Sequence, residues 1–187
     1  MTDEPRGGSC AARARRFDAR RALLARDARL SARLRRAGDR SPRLRAVAIP
    51  FARSADGWPW VLAILAVAAA GDPLVRRRAL GVAAAVLATG LVVKLGKTLT
   101  RRARPAGEWG ASYRRSDPHA FPSGHSARAF LVAVLASGLG SAWLGAALAL
   151  WATLVAASRV LLGVHHLSDV VAGACLGIGC GLVALAL

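Results

Sequence analysis

Apolar residues fall in long runs separated by short charged or glycine-rich breaks, and this pattern sets the expected elements. Residues 58–75 and 79–93 are largely apolar, as are 129–157 and 170–187. The first run stops at Asp72-Pro73 and the triplet Arg76, Arg77 and Arg78. The second starts near Ala79 and keeps helical spacing to about Arg101. The stretch 126–160 is too long for one crossing and is interrupted by Ser137, Gly138, Leu139, Gly140 and Ser141, so it predicts two antiparallel helices. The last run covers about 167–187. Five membrane spans follow. Residues 44–56 reach only about 20 Å as a helix, short of a hydrocarbon core of about 30 Å. Pro50, Arg53 and Asp56 also oppose a crossing, so an interfacial or re-entrant helix is expected there. Gly57 breaks it, and Trp58 and Trp60 are placed as interface anchors. A polar loop spans 102–121. The expected fold is all-α: an integral membrane bundle of five to six transmembrane helices over 44–187, preceded by a basic segment over 1–43.

Composition sharpens this picture. Hydrophobic residues make up 55% of the chain, yet 20% is charged and the net charge is +17. Both hold because charge and hydrophobicity are segregated, which excludes a disordered chain and an ordinary soluble domain. The first 46 residues hold 14 Arg against 5 acids. Within 11–37, Leu23, Leu30 and Leu34 share one helical face, alongside Phe17 and Leu24. Two readings of this head stay open: an amphipathic helix drawn to anionic membrane lipid, or a solvated Arg-rich tail. A nucleic-acid arm is disfavoured, because Phe17 is the only aromatic available for stacking. No apolar core precedes residue 46, so no signal peptide is expected. Cys10, Cys175 and Cys180 lack metal-ligand spacing and predict neither a metal site nor a disulfide framework.

Ionisable residues at membrane depth are costly and point to function. Lys94 and Lys97, the only lysines, fall with Arg101 and Arg104 at i, i+3, i+7 and i+10, one face of a continuing helix that needs an anion. Next, Pro122-Ser123-Gly124-His125 stands before an apolar helix. Free N–H groups at a helix N-terminus bind phosphate, and a His there donates a proton to a leaving oxygen. Arg128, three residues on, joins Lys94 and Arg101 as an accessory cation. The third element is Ser158-Arg159 with His165 and Asp169. If the stretch is helical, Asp169 hydrogen-bonds one imidazole nitrogen of His165 and leaves the other lone pair exposed as a nucleophile. Arg159 adds a bidentate cation for phosphate oxygens. A metal reading of His165, His166 and Asp169 fails on ligand count and on its cationic surroundings. Together these groups suit a dianionic phosphoryl group, whose transfer needs positioning and charge stabilisation and here requires no Mg²⁺ or other cofactor.

The pattern Lys97-x6-Arg104-Pro105, Pro122-Ser123-Gly124-His125 and Ser158-Arg159-x5-His165-x3-Asp169 resembles the three-part signature of the type 2 phosphatidic acid phosphatase (PAP2) superfamily. Every signature position is filled, and the resemblance covers about residues 57–187. It implies His165 as nucleophile, Asp169 as its orienting partner and His125 as the acid for the leaving alkoxide. It implies that Lys97, Arg104 and Arg159, with the Ser123 and Gly124 N–H groups, hold the phosphate. The substrate expected from it is a lipid phosphate, a phosphomonoester or diphosphate on a polyprenyl or glycerolipid carrier, in a bacterial plasma membrane. Small members include phosphatases of decaprenylphosphoryl phosphoribose, undecaprenyl diphosphate and phosphatidylglycerol phosphate. The family's usual first span is missing here or reduced to 44–56.

Two rivals remain. A vanadate haloperoxidase shares the site but is soluble, and a membrane adaptor with a lipid- or nucleic-acid-binding head leaves the signature unexplained. His166 is expected about 100° away from His165 on a helix, as structural support. His119 is expected to be solvated, and Trp109, Tyr113, Arg114 and Arg115 suit either a gating loop or a solvated one. With five spans, the Arg-rich head and the catalytic loop share one side, which the positive-inside bias makes cytoplasmic, whereas a sixth crossing before residue 57, the family's usual pattern, would keep the head inside and put the site outside.

Overall fold

The computed structural model describes residues 7–106 and 117–187, and the structural statements below concern these. Seven helices follow one another: α1 (Gly7–Arg40), α2 (Pro42–Ser54), α3 (Gly57–Ala70), α4 (Pro73–Thr100), α5 (Gly124–Leu139), α6 (Ala142–Leu161) and α7 (Leu167–Ala186). Among the described residues there is no strand, only an isolated bridge between Ala103 and His119.

Local sequence sets the boundaries. Ser41 caps α2, its Oγ accepting from the Leu44 N–H at 3.3 Å, with Pro42 in the first turn. Asp72 and Pro73 do the same for α4, with Asp72 Oδ1 2.9 Å from the Val75 N–H. This corrects the sequence expectation at that boundary. Leu74, Val75 and the Arg76–Arg78 triplet belong to the first turns of α4, because Asp72-Pro73 starts a helix rather than only ending one. The long 126–160 stretch breaks at Gly140-Ser141, where Ser141 caps α6.

Three helices, α4, α6 and α7, are long and apolar enough to cross a membrane, and α3 and α5 are shorter apolar helices. Their outer faces carry large apolar side chains; Leu91 is 69% exposed, Leu99 75% and Trp143 86%. In water such exposure is unfavourable, and against lipid it is the expected state. α2 packs on the last turns of α6 through Ala48, Ala52 and Leu162. Ala55 then reaches Ala129, Ala152 and Val155. From there α3 runs on to pack Ile64 beside Val86, Leu131 and Leu135. Together α2 and α3 make one broken passage from the site end to the far end. With α4 to α7 the chain passes between the two ends five times.

α5 sits at the centre, between α6 and α7. Gly173, Gly177 and Gly181 recur every four residues on the buried face of α7. A Cβ at Gly173 would stand 2.4 Å from the Ser123 carbonyl oxygen, and one at Gly177 2.1 Å from that of Ala127. Only glycine allows this approach, and it presses the α5 N-terminus against the first turns of α7. α1, a helix of 34 residues, docks at the same end through Gly38, against the Leu161 carbonyl, and through side chains described below.

A candidate active site at one end of the bundle

The α4 stripe of cations stops sooner than helical spacing predicts. The helix ends at Thr100, and Arg101 adopts a left-handed conformation (φ 46°) with its Nε folded back to the Thr98 carbonyl at 3.2 Å. Arg101 therefore leaves the site, which corrects its expected accessory role. Beyond it the chain is extended and pairs with the strand-like segment at 119–120. In extended backbone alternate residues share a side, so Arg102 and Arg104 both point inward while Ala103 does not. Arg104 is thus placed by an extended segment, not by the α4 face.

Arg104 is the hub of one half of the site. Its Nε donates to the Asp117 carbonyl at 2.7 Å, and its two terminal nitrogens to Asp117 Oδ2 at 2.8 Å and the Val164 carbonyl at 2.9 Å. Lys97 also pairs with Asp117 Oδ2. Burial pushes the Asp117 carboxyl up, but Lys97 and Arg104 outweigh it and hold the group below the usual carboxylate range.

His165 lies in the turn between α6 and α7, where Gly163 takes a left-handed φ of 67°. It is 1% exposed. An Arg104 terminal nitrogen stands 3.1 Å from His165 Nε2, and Asp169 Oδ2 stands 3.5 Å from Nδ1. A guanidinium only donates, so Nε2 is the accepting, lone-pair nitrogen and the proton sits on Nδ1, facing Asp169. Burial, reinforced by the charges of Arg104 and Arg159 and opposed by Asp169, pushes the imidazole down to about 3, so it is neutral near pH 7.

Asp169 is placed differently from expectation. His165 is not helical. Asp169 sits in the first turn of α7, where its Oδ2 accepts the His166 N–H at 2.7 Å as part of the helix cap. Its Oδ1 accepts from Arg102 at 2.7 Å. His166 is the N-cap residue, half-buried, and burial lowers its pKa.

At the start of α5, Ser123 caps the helix, and its own N–H donates to the Asp169 carbonyl at 2.9 Å. That N–H is engaged, so Ser123 serves as cap and brace, and the Gly124 N–H is the next donor at this helix end. His125 Nε2 is 2.9 Å from Asp56 Oδ1, and Arg128 donates to the Ala55 carbonyl at 2.6 Å.

These groups surround a cavity of about 470 Å³. Lys94, Lys97, Arg104, Asp117, Gly124, His125, Arg128 and His165 form its polar wall, and Val86, Thr89, Gly90 and Val93 its apolar one. Arg159 is fully buried, donates to the Ala52 carbonyl at 3.4 Å, and is not part of that wall. A larger apolar groove of about 680 Å³ lies between α4 and α7, and Thr89 lines both it and the cavity. Among the described residues no three His, Cys, Asp or Glu side chains gather as a metal site. Arg102, Asp27, Asp56 and Asp117 were not singled out from the sequence as site residues, yet each contacts one. His119 forms a bridge residue of the loop. Trp109, Tyr113, Arg114 and Arg115 lie outside the described residues.

Residues 78–187 match the sequence profile of the PAP2 superfamily. Two crystal structures share the fold. Aquifex aeolicus LpxE superposes with a TM-score of 0.70 at 26% identity, over 85% of this chain and 94% of that one. A transmembrane PAP2-type phosphatidylglycerolphosphate phosphatase from Bacillus subtilis superposes with a TM-score of 0.74 at 25% identity, over 87% of this chain and 84% of that one. The chain therefore belongs to the PAP2 superfamily and is a multi-pass membrane protein with lipid phosphatase activity.

Proposed function

We propose that the protein hydrolyses a phosphomonoester or diphosphate of a polyprenyl or glycerolipid through a phosphohistidine at His165, without a metal ion. The observation that carries this reading is the 3.1 Å contact that leaves Nε2 as the unprotonated nitrogen beside the cavity. The substrate phosphate replaces the Asp117 carboxylate between Lys97 and Arg104. Nε2 attacks phosphorus, the bond to the ester oxygen breaks, and His125 gives that alkoxide its proton. Water then attacks phosphorus, His125 takes its proton, and the P–N bond breaks to release phosphate. Lys97, Arg104 and the α5 N-terminus stabilise the charge on the equatorial oxygens, with Arg159 behind them. The lipid chain lies in the α4–α7 groove, which is apolar and is separated from the cavity by no more than the lining residue Thr89 that both share.

Rapid quenching of purified protein with a radiolabelled lipid phosphate should trap an acid-labile, base-stable phosphoenzyme in EDTA, absent in His165→Ala. Turnover lost on chelation and restored by Mg²⁺ overturns the metal-free mechanism.

The protein is assigned to a bacterial plasma membrane with its site on the cytoplasmic side. The Arg-rich head docks at the site end, whereas the far end carries only Arg76, Arg77 and Arg78. The outer Leu face of α1 then contacts anionic lipid. Cysteines replacing Gly8 or Ala106, in a Cys-free background, should resist a membrane-impermeant thiol reagent on intact cells, while one replacing Ser141 reacts. The reverse pattern sinks the cytoplasmic assignment.

A further inference from the structure

α1 carries two stripes. Leu23, Leu30 and Leu34 remain exposed. Asp27, Ser31, Arg35 and Gly38 lie about 75° round the helix from them at 100° per residue, and this second stripe touches the catalytic end. Ser31 Oγ accepts the Leu167 N–H at 2.8 Å, and Asp27 Oδ1 accepts the Ser168 N–H at 3.0 Å. Arg35 donates to the Ala106 carbonyl. The first N–H groups of a helix lack partners within it. Here α1 supplies partners for those of α7, the helix that bears Asp169.

One of these contacts reaches the chemistry. Asp27 Oδ2 accepts from Arg102 at 2.6 Å and from Ser168 Oγ at 2.6 Å. The other terminal nitrogen of Arg102 donates to Asp169 Oδ1 at 2.7 Å. The side chains of Asp27 and Arg102 are 12% and 19% exposed, and that of Asp169 is 0%. Little water screens the chain Asp27–Arg102–Asp169–His165.

Charge counting gives the chain a purpose. Arg102 and Asp169 alone form a neutral pair, poorly suited to stabilise positive charge growing on His165. With Asp27 the cluster carries a net charge of −1, which favours that charge. We propose that Asp27 is a positioning residue of the reaction, holding Arg102 so that Asp169 keeps both its orientation and its negative field at His165. This makes the basic N-terminal helix part of the active enzyme. The inference rests on His165 as the nucleophile.

The test uses full-length protein in mixed micelles with phosphatidic acid, and reads steady-state turnover and single-turnover phosphoenzyme formation. Asp27→Asn keeps the size and one acceptor oxygen but removes the charge. It should lower kcat and the phosphorylation rate about tenfold, with KM within about twofold, because Lys97 and Arg104 are untouched. Asp27→Glu should recover part of the rate. Ser31→Ala removes an α7 capping contact of the same helix without altering charge, and should keep kcat within about twofold whatever its effect on thermal stability. In an Arg102→Gln background, already slowed, Asp27→Asn should add no further loss. Asp27→Asn with wild-type phosphorylation, or losses that multiply independently with Arg102→Gln, overturns the proposal. Wild-type protein that forms no phosphoenzyme, or His165→Ala that still turns over, overturns the nucleophile assignment instead.

Discussion

The two halves of the site are built differently. On the His165 half the Asp169 carboxylate is held by groups that are themselves largely buried or part of a helix cap: Arg102, the His166 N–H and the imidazole. On the phosphate half Lys97 and Arg104 share a loop carboxylate, Asp117, whose side chain is 38% exposed. His125 is held likewise by Asp56, 37% exposed. A nucleophile needs a fixed tautomer and direction through the whole cycle. Phosphate-binding cations need a counter-ion that yields to substrate. Arg104 joins the halves, because it touches both Asp117 and His165 Nε2.

The largest effect comes from breaking the fixed half. His165→Ala should abolish turnover, and a substrate with a good leaving group, such as an aryl phosphate, should not rescue it. His125→Ala on the exchangeable side should cost roughly 10² to 10⁴-fold on a lipid alkoxide, the usual worth of a general acid. It should recover strongly on the aryl phosphate, which needs no proton on departure. Equal and unrecoverable losses show that the two histidines do not divide the work this way.

The rigidity of the fixed half depends on the backbone contact between α5 and α7. Gly177→Val places a side chain where even a Cβ would lie 2.1 Å from the Ala127 carbonyl oxygen. The helices must part, and a destabilisation of about 3 kcal/mol is expected from overpacking of this kind. Gly179→Val, with nothing within 4 Å of its Cβ position, is the control and should leave thermal unfolding nearly unchanged. Similar shifts for both remove close helix packing as the basis of the fixed half.

In both halves the cations and histidines are more legible in the sequence than most of the carboxylates that pair with them. Apolar runs are local, so the crossing helices and the Gly140-Ser141 break could be read directly. Lys97, Arg104, His125, His165 and Asp169 stand out in the sequence by residue type and spacing, and the structure gathers them at one end of the bundle. Helical periodicity carried past Thr100 points to Arg101, whereas the segment there has a period of two and turns Arg102 inward. The counter-ions were missed because Asp27, Asp56 and Asp117 reach their partners across long separations in sequence. A signal did exist. Residues 44–187 contain only five acids, Asp56, Asp72, Glu108, Asp117 and Asp169. In a stretch so poor in carboxylates and so rich in buried cations, each acid was a candidate partner.

The smallest effect tests the exchangeable half. If Asp117 holds the place that phosphate takes, substrate must displace it, and part of the binding energy is spent in doing so. Asp117→Asn removes the charge but keeps the shape. Lys97 and Arg104 then meet the phosphate without a competing carboxylate, so KM should fall about three- to tenfold while kcat changes little. The carboxyl is held below the usual carboxylate range by Lys97 and Arg104, against the effect of burial, and stays ionised from pH 5 to 8. The advantage of the variant should therefore persist across that window. Inhibition by free phosphate should tighten by a similar factor, because it reads the same cations without the lipid chain. A rise in KM, with weaker inhibition by phosphate, would mean that Asp117 organises the cations for substrate. The phosphate half would then be as fixed as the nucleophile half.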